Sequence, residues 1–217
     1  MNINQQLIDA SENRYEDVGV VKALIEAGAD IHVNNDMALR WATIYGRTEI
    51  VKMFLDAGAN VHAQNGAPLL TASISGYTDI VKMLLDAGAK VGANYEALLQ
   101  ASHKGYTEIV KMLLEAGADV HAENDWALLW SVFYGHIETV KVLLDAGADV
   151  HAGKDQALCS AANRGNTKII KMLLDAGADT SIVSQRVSPQ GKAEILRLLM
   201  EANEEHRSST PIPMRMS

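Results

Sequence analysis

Apolar and polar positions along the chain return in blocks. VKALIEAGAD begins at Val21, VKMFLDAGAN at Val51, VKMLLDAGAK at Val81, VKMLLEAGAD at Val110, VKVLLDAGAD at Val140 and IKMLLDAGAD at Ile170. A degenerate copy, LRLLMEAN, begins at Leu196. Successive blocks lie 30 residues apart, 29 once and 26 at the last step. A period of this length marks an array, whose repeats bury their apolar faces by stacking on their neighbours.

Each block predicts a helix. Over residues 48–57 apolar side chains cover most of the helix, and Lys52 and Asp56 mark a narrow wet stripe. Such a helix is covered by its own repeat and by both neighbours. Thr48 reads as the N-cap, Glu49 as the acid of the first turn, and Gly58 as the left-handed residue that ends the helix. Thr78, Asp79 and Gly88 repeat this grammar, as do Thr107, Glu108 and Gly117. Ile137, Glu138 and Gly147 lose the cap; Thr167, Lys168 and Gly177 lose the acid. Met53, Met83, Met112 and Met172 are core by register.

A shorter helical stretch precedes each block, over 37–45, 67–75, 96–104, 126–134 and 156–164. Each stops at a glycine: Gly46, Gly76, Gly105, Gly135 or Gly165. The repeat is therefore helix, glycine turn, helix, glycine, polar loop. The fold class that follows is all-α, a single solenoid over residues 1–206 of seven stacked helix-turn-helix repeats, five full ones between two caps. The caps span 1–34 and 184–206; the full repeats span 35–64, 65–93, 94–123, 124–153 and 154–183. The first cap pairs 4–11 with 17–27 and is wet on its outer face through Gln5, Gln6, Asp9 and Glu12. The last loses most of its first helix and ends in a helix over 193–201, with Arg197, Glu201 and Glu204 toward water. One residue is dropped around 92–96, which predicts an irregular loop there, and 207–217, RSSTPIPMRMS, reads as a flexible tail.

Composition narrows the function. A formal net charge of −8, with no Lys/Arg run, argues against nucleic acid and anionic membranes as partners. Cys159 is the one cysteine, so no intrachain disulfide forms and the chain reads as intracellular and cytoplasmic. The N-terminal stretch has no apolar run of a signal peptide, and no stretch reaches the length of a membrane span.

The candidate chemistry is sparse. His32, His62, His121 and His151 recur once per repeat, too dispersed for the close cluster a metal needs. Cys159 takes the register of Arg40, Leu70, Leu99 and Leu129 and reads as packing. The recurrent glycines are accounted for by helix ends and leave no phosphate-cradling loop. No catalytic residue, metal ligand or cofactor is assigned, and the chain is read as a non-enzyme.

The segments Gly135-His136-Ile137-Glu138-Thr139-Val140 and Ala146-Gly147-Ala148-Asp149-Val150 closely resemble the second half of an ankyrin repeat. The likeness covers residues 1–203. The usual period is longer, and the usual T-P-L-H-x-A opening is replaced by Met37-Ala38-Leu39-Arg40-Trp41-Ala42 and its equivalents; only Pro68 keeps the proline. The shortened style resembles the arrays abundant in giant viruses; arrays also occur in bacteria and phages. The resemblance implies shortened β-hairpin fingers, a polar role for the recurrent histidines in tying the loops together, and a concave binding surface lined by the first helices.

Comparing repeats separates scaffold from surface. Leu39, Leu69, Leu98, Leu128 and Leu158 are constant, and Ala42, Ala72, Ala101, Ser131 and Ala161 stay small. The triplets Met37-Trp41-Tyr45, Ala67-Thr71-Ser75, Glu96-Gln100-Lys104, Trp126-Trp130-Tyr134 and Gln156-Ser160-Arg164 vary freely, and their spacing puts each on one helix face. Trp126 and Tyr134 read as exposed. Trp41 and Trp130 either join patches or fill the groove between first helices, and Phe133 is open. The partner-binding candidates are Trp126, Trp130, Tyr134, Phe133, Trp41, Tyr45, Met37, Glu96, His103, Lys104 and Arg164. The leading expectation is a monomeric interaction scaffold that binds a protein or peptide, a viral or pathogen factor acting on host proteins in the host cytoplasm. The alternative is an aromatic cage, with Glu123 or Asp125, that reads a cationic methyl-lysine-like peptide, as some ankyrin domains do.

Overall fold

The structure is a computed structural model that describes residues 2–13, 18–91, 95–181 and 186–209, with backbone alone from 203. Its described elements are helices. The first helices of the repeats are α1 (Ile3–Glu12), α3 (Val33–Ile44), α5 (Ala63–Ser75), α7 (Tyr95–Lys104), α9 (Ala122–Tyr134) and α11 (Ala152–Arg164). The second helices are α2 (Val18–Glu26), α4 (Thr48–Asp56), α6 (Thr78–Asp86), α8 (Thr107–Glu115), α10 (Ile137–Asp145) and α12 (Thr167–Asp175). A longer helix, α13 (Pro189–Ser209), follows.

The chain forms two compact bodies, Met1–Glu123 and Asn124–Ser217. In the first, α1, α3, α5 and α7 stack in sequence, as do α2, α4, α6 and α8, and each first helix packs on its own second helix. In the second, α12 packs on α10 and α11, and α13 packs on α11 and α12.

The apolar pattern explains the packing. In α4, Ile50, Val51 and Phe54 share one face and are fully buried, while Lys52 and Asp56 are exposed. Ile80, Val81 and Leu84 repeat this in α6, and Ile109, Val110 and Leu113 in α8. Met53, Met83, Met112 and Met172 are half-buried rather than core. They flank the apolar face, where a flexible thioether fills the edge of a groove. In the first helices, Ala38, Leu39, Ala42 and Thr43, with their equivalents, form the buried face. Thr43, Ser73 and Ser131 satisfy their buried hydroxyls by donating to the carbonyls of Leu39, Leu69 and Ala127 at 2.8 Å.

Helix ends follow the predicted grammar at one end only. Gly58 has φ +91°, and Ala59 N–H bonds the Phe54 carbonyl at 2.9 Å, the Schellman closure. The threonines, however, are the first helical residues and not the caps. Arg47, Tyr77, Tyr106 and His136 occupy the N-cap positions without a side-chain capping bond. Asn166 does cap, accepting from Ile169 N–H at 3.3 Å. Tyr77 and Tyr106 are used for packing instead. A Cβ on Gly46 would lie 2.7 Å from the Tyr77 ring, and one on Gly76 2.7 Å from Tyr106. Arg47 has its own task, donating to the carbonyls of Ala10 and Asn13 at 2.6 and 2.7 Å and so closing the C-terminus of α1.

The loops hold the main departure from expectation. Hairpin strands are absent among the described residues. Four loops instead carry three consecutive left-handed residues: Asn34-Asn35-Asp36, Gln64-Asn65-Gly66, Glu123-Asn124-Asp125 and Gly153-Lys154-Asp155. The left-handed helical conformation costs an L-residue about 1–2 kcal/mol, least for Asn, Asp and Gly, which dominate these triplets. The three of these turns that end in aspartate aim that side chain inward. Asp36, Asp125 and Asp155 are buried, and their carboxylates accept the backbone N–H of Asn60, Asp149 and Asp179 at 2.8, 2.8 and 2.7 Å. Asn4 makes the corresponding bond to Asp30 N–H at 2.9 Å in the first repeat. One side chain thus clasps the start of a helix pair to the loop that ends it. His32 and His151 lie 3.0 Å from the carboxylates of Asp36 and Asp155 through Nδ1, which gives these two histidines the loop-tying place that the resemblance implied.

The C-terminal helix extends beyond the expected 193–201 at both ends. Asn163 holds its approach, accepting Ser188 N–H at 2.7 Å and donating to the Arg186 carbonyl at 3.2 Å. Arg197 and Glu201 are exposed as expected, and Leu196 and Met200 are exposed beside them. Residues 207–209, read as tail, continue the helix. The expected irregularity at 92–96 falls largely on 92–94, outside the described residues, as does the tail from 210.

Candidate functional site

The residues that vary between repeats come together most densely on α9. Its buried face, Ala127, Leu128, Ser131 and Val132, matches the shared scaffold. The opposite face carries Trp126 at 45% exposure, Phe133 at 40% and Tyr134 at 48%. Trp130 is half-buried between them. Helical spacing makes the rings one connected surface. Trp126 meets Trp130 edge-on at 6.0 Å, and Trp130 stacks on Tyr134 at 5.7 Å. Phe133 meets Trp130 and Tyr134 edge-on at 5.9 and 5.1 Å, and Tyr134 stacks on His136 at 6.1 Å.

Trp130 forms one wall of a pocket of about 300 Å³ between α9 and α11. Trp126, Leu129 and Phe133 complete the α9 side; Gln156 and Ser160 form the α11 side. The Arg164 guanidinium lies 3.6 Å above the Phe133 ring, within cation–π range.

The other candidates lie in the first body. Trp41 and Tyr45 stack at 5.8 Å on α3, and Met37 lies on the same helix; all three are half-buried. They make a more covered patch than the α9 rings. Glu96 and Lys104 are exposed on α7, and His103 is half-buried. Sequence reasoning missed Tyr95, which is 51% exposed beside Glu96. It also left out Leu129, Gln156 and Ser160 as pocket walls. Gln156 and Ser160 belong to a variable triplet, so the signal was there; Leu129 shares the register of packing residues, so it was not.

Cys159 is buried, and burial pushes its thiol above its ordinary range, against a smaller lowering by Arg186. Among the described residues no three His, Cys, Asp or Glu side chains converge as a metal site. No helix in the described residues is long and apolar enough to cross a membrane.

Stacked helix pairs with a shared core face and a variable first-helix face define a helical repeat protein. The chain belongs to the ankyrin-repeat family: the family model for ankyrin repeats in three copies matches residues 7–95 and again 98–186. Among solved structures, the human ASB11 ankyrin repeat domain is similar with a TM-score of 0.72 at 24% identity. That match covers 91% of this chain and 97% of the other. No curated protein sequence matches the chain. Ankyrin repeats are generally protein–protein interaction modules.

Proposed function

We propose that this protein is a non-enzymatic scaffold that binds a partner protein or peptide through its first helices, with the α9 rings as anchor. The observation that carries the reading is the exposure of Trp126, Phe133 and Tyr134, the first two lining a pocket, on a helix whose other face is ordinary scaffold. Exposed large aromatics are costly to leave in water and dominate interface energetics when covered. Trp41 with Tyr45, and Glu96, His103 and Lys104, are secondary contacts of the same kind. The shortened repeats, similar in style to giant-virus arrays, fit a factor that engages host proteins in the host cytoplasm.

The methyl-lysine cage is the weaker reading. Arg164 already covers the Phe133 ring with a cation. Of the two acids proposed to complete the cage, Asp125 is buried and accepts Asp149 N–H at 2.8 Å, and Glu123 is not among the residues lining the pocket.

The test is the double variant Trp126→Ala, Tyr134→Ala, measured against a partner isolated with the wild-type chain. Affinity is expected to fall at least about tenfold, a loss of about 1.4 kcal/mol, with the thermal midpoint retained. Unchanged affinity overturns the site.

A further inference from the structure

The chemistry around the α9 pocket is asymmetric in charge. The chain carries a net charge of −8, yet no carboxylate lines this pocket. The nearest acids in sequence are withdrawn from it. Asp125 and Asp155 are buried and occupied by the backbone N–H groups of Asp149 and Asp179. Glu123 is not among the lining residues. The walls are three aromatic rings, a leucine, an amide and a hydroxyl, and the charge beside them is Arg164.

Arg164 is placed to do more than cover a ring. It is exposed, and no ion pair joins it to a carboxylate among the described residues. Its guanidinium carbon lies 3.6 Å from the Phe133 ring centroid, which seats the exposed cation beside the pocket. A guanidinium held in this way is pre-organised for a two-pronged bond to a carboxylate. Arg197, by contrast, is already bound to Glu194 at 2.6 Å and to Glu201 at 2.5 Å. Gln156 and Ser160 supply neutral donors and acceptors on the opposite wall.

From this we infer that the pocket takes a bulky apolar side chain of a protein segment that also carries an aspartate or glutamate, and that Arg164 pairs with that carboxylate. The inference rests on the α9 reading and adds the partner's chemistry to it. The pocket volume, about 300 Å³, suits one large side chain. The rings supply the apolar contact, and Arg164 sets orientation and excludes cationic segments.

The experiment uses the full chain and a displayed library of random short peptides. Selected sequences are made synthetically and titrated, with tryptophan fluorescence as the readout. The expected winners pair Leu, Phe, Met or Trp with a neighbouring Asp or Glu. Arg164→Gln is expected to weaken the best of them about tenfold, and Arg164→Lys to recover only part of that loss. A peptide with its acid replaced by the amide is expected to bind Arg164→Gln and wild type alike. Lysine-rich winners, a trimethyl-lysine peptide that outbinds its leucine counterpart, indifference to Arg164→Gln, or a library with no winners each overturns the inference. The two levels fail separately. Binding lost in Trp126→Ala but indifferent to Arg164 sinks only the charge assignment. Winners untouched by both Trp126→Ala and Tyr134→Ala sink the site itself.

Discussion

The carboxylate of Asp155 accepts a hydrogen bond from the backbone N–H of Asp179 at 2.7 Å, across the whole of the α11–α12 helix pair. The acid is buried, and His151 Nδ1 lies 3.0 Å away on the same oxygen. Asp155→Ala is expected to destabilise the chain by about 1.5–3 kcal/mol, the range for a hydrogen bond to a charged group. Asp155→Asn keeps an acceptor, as Asn4 does in the first repeat, and should cost less. Urea unfolding midpoints check both, and equal losses for Ala and Asn would refute the role of the oxygen.

Gly46 and Tyr77 form a second relationship that substitution can probe. Gly46 has φ +66°, and an added Cβ would meet the ring at 2.7 Å. Gly46→Ala is expected to cost about 1–2 kcal/mol from backbone conformation, plus the contact. Adding Tyr77→Ala should relieve the contact but not the backbone cost. A double variant as stable as wild type would show that the backbone term is absent.

Scaffold and surface on α9 are separable by stability alone. Leu128 is fully buried, and Leu128→Ala is expected to cost about 2–5 kcal/mol. Trp126 is 45% exposed, and Trp126→Ala should cost less than half as much in the same thermal or urea measurement. Comparable losses would mean that Trp126 belongs to the core.

Glu194 provides a pH signature. Hydrogen bonds from Arg197, and then from Thr167, hold its carboxyl down to about 2, against an ordinary value of 4.5. A folded-state value below the unfolded one means that the stabilisation is present above pH 4.5 and is lost as pH falls toward 2. Carbon-detected NMR of the Glu194 carboxyl should show this low midpoint, and Arg197→Gln should raise it toward the ordinary range. An unmoved midpoint would exclude Arg197 as the main cause.

The repeats were legible because every block presents the same interior face, as Ile50-Val51-Phe54 and Ile109-Val110-Leu113 show. The α9 surface was legible because Trp126 and Tyr134 sit at positions that vary freely between repeats, while Leu128 keeps the register of its four sisters. What stayed hidden depends on tertiary neighbours. Thr48 looks like a cap by type, but its turn is built around a glycine that the next repeat's tyrosine covers. Met53 looks like core by register, but lies at the flank of the buried face. The left-handed loops were spelled out in Asn, Asp and Gly, yet three such residues in a row read equally well as an ordinary polar loop. Arg164 was legible only as a variable position; its seat on Phe133 depends on how α11 packs.

The clasp from the left-handed turns that end in aspartate bears on how such an array changes over generations. Acceptor and donor lie in the same stretch of gene: Asp36 with Asn60, Asp125 with Asp149, Asp155 with Asp179. Duplication or loss of one whole repeat therefore copies or removes both partners together and strands no buried carboxylate. Recombination at the loops can reshuffle ring-bearing helices such as α9 without repairing the frame that holds them.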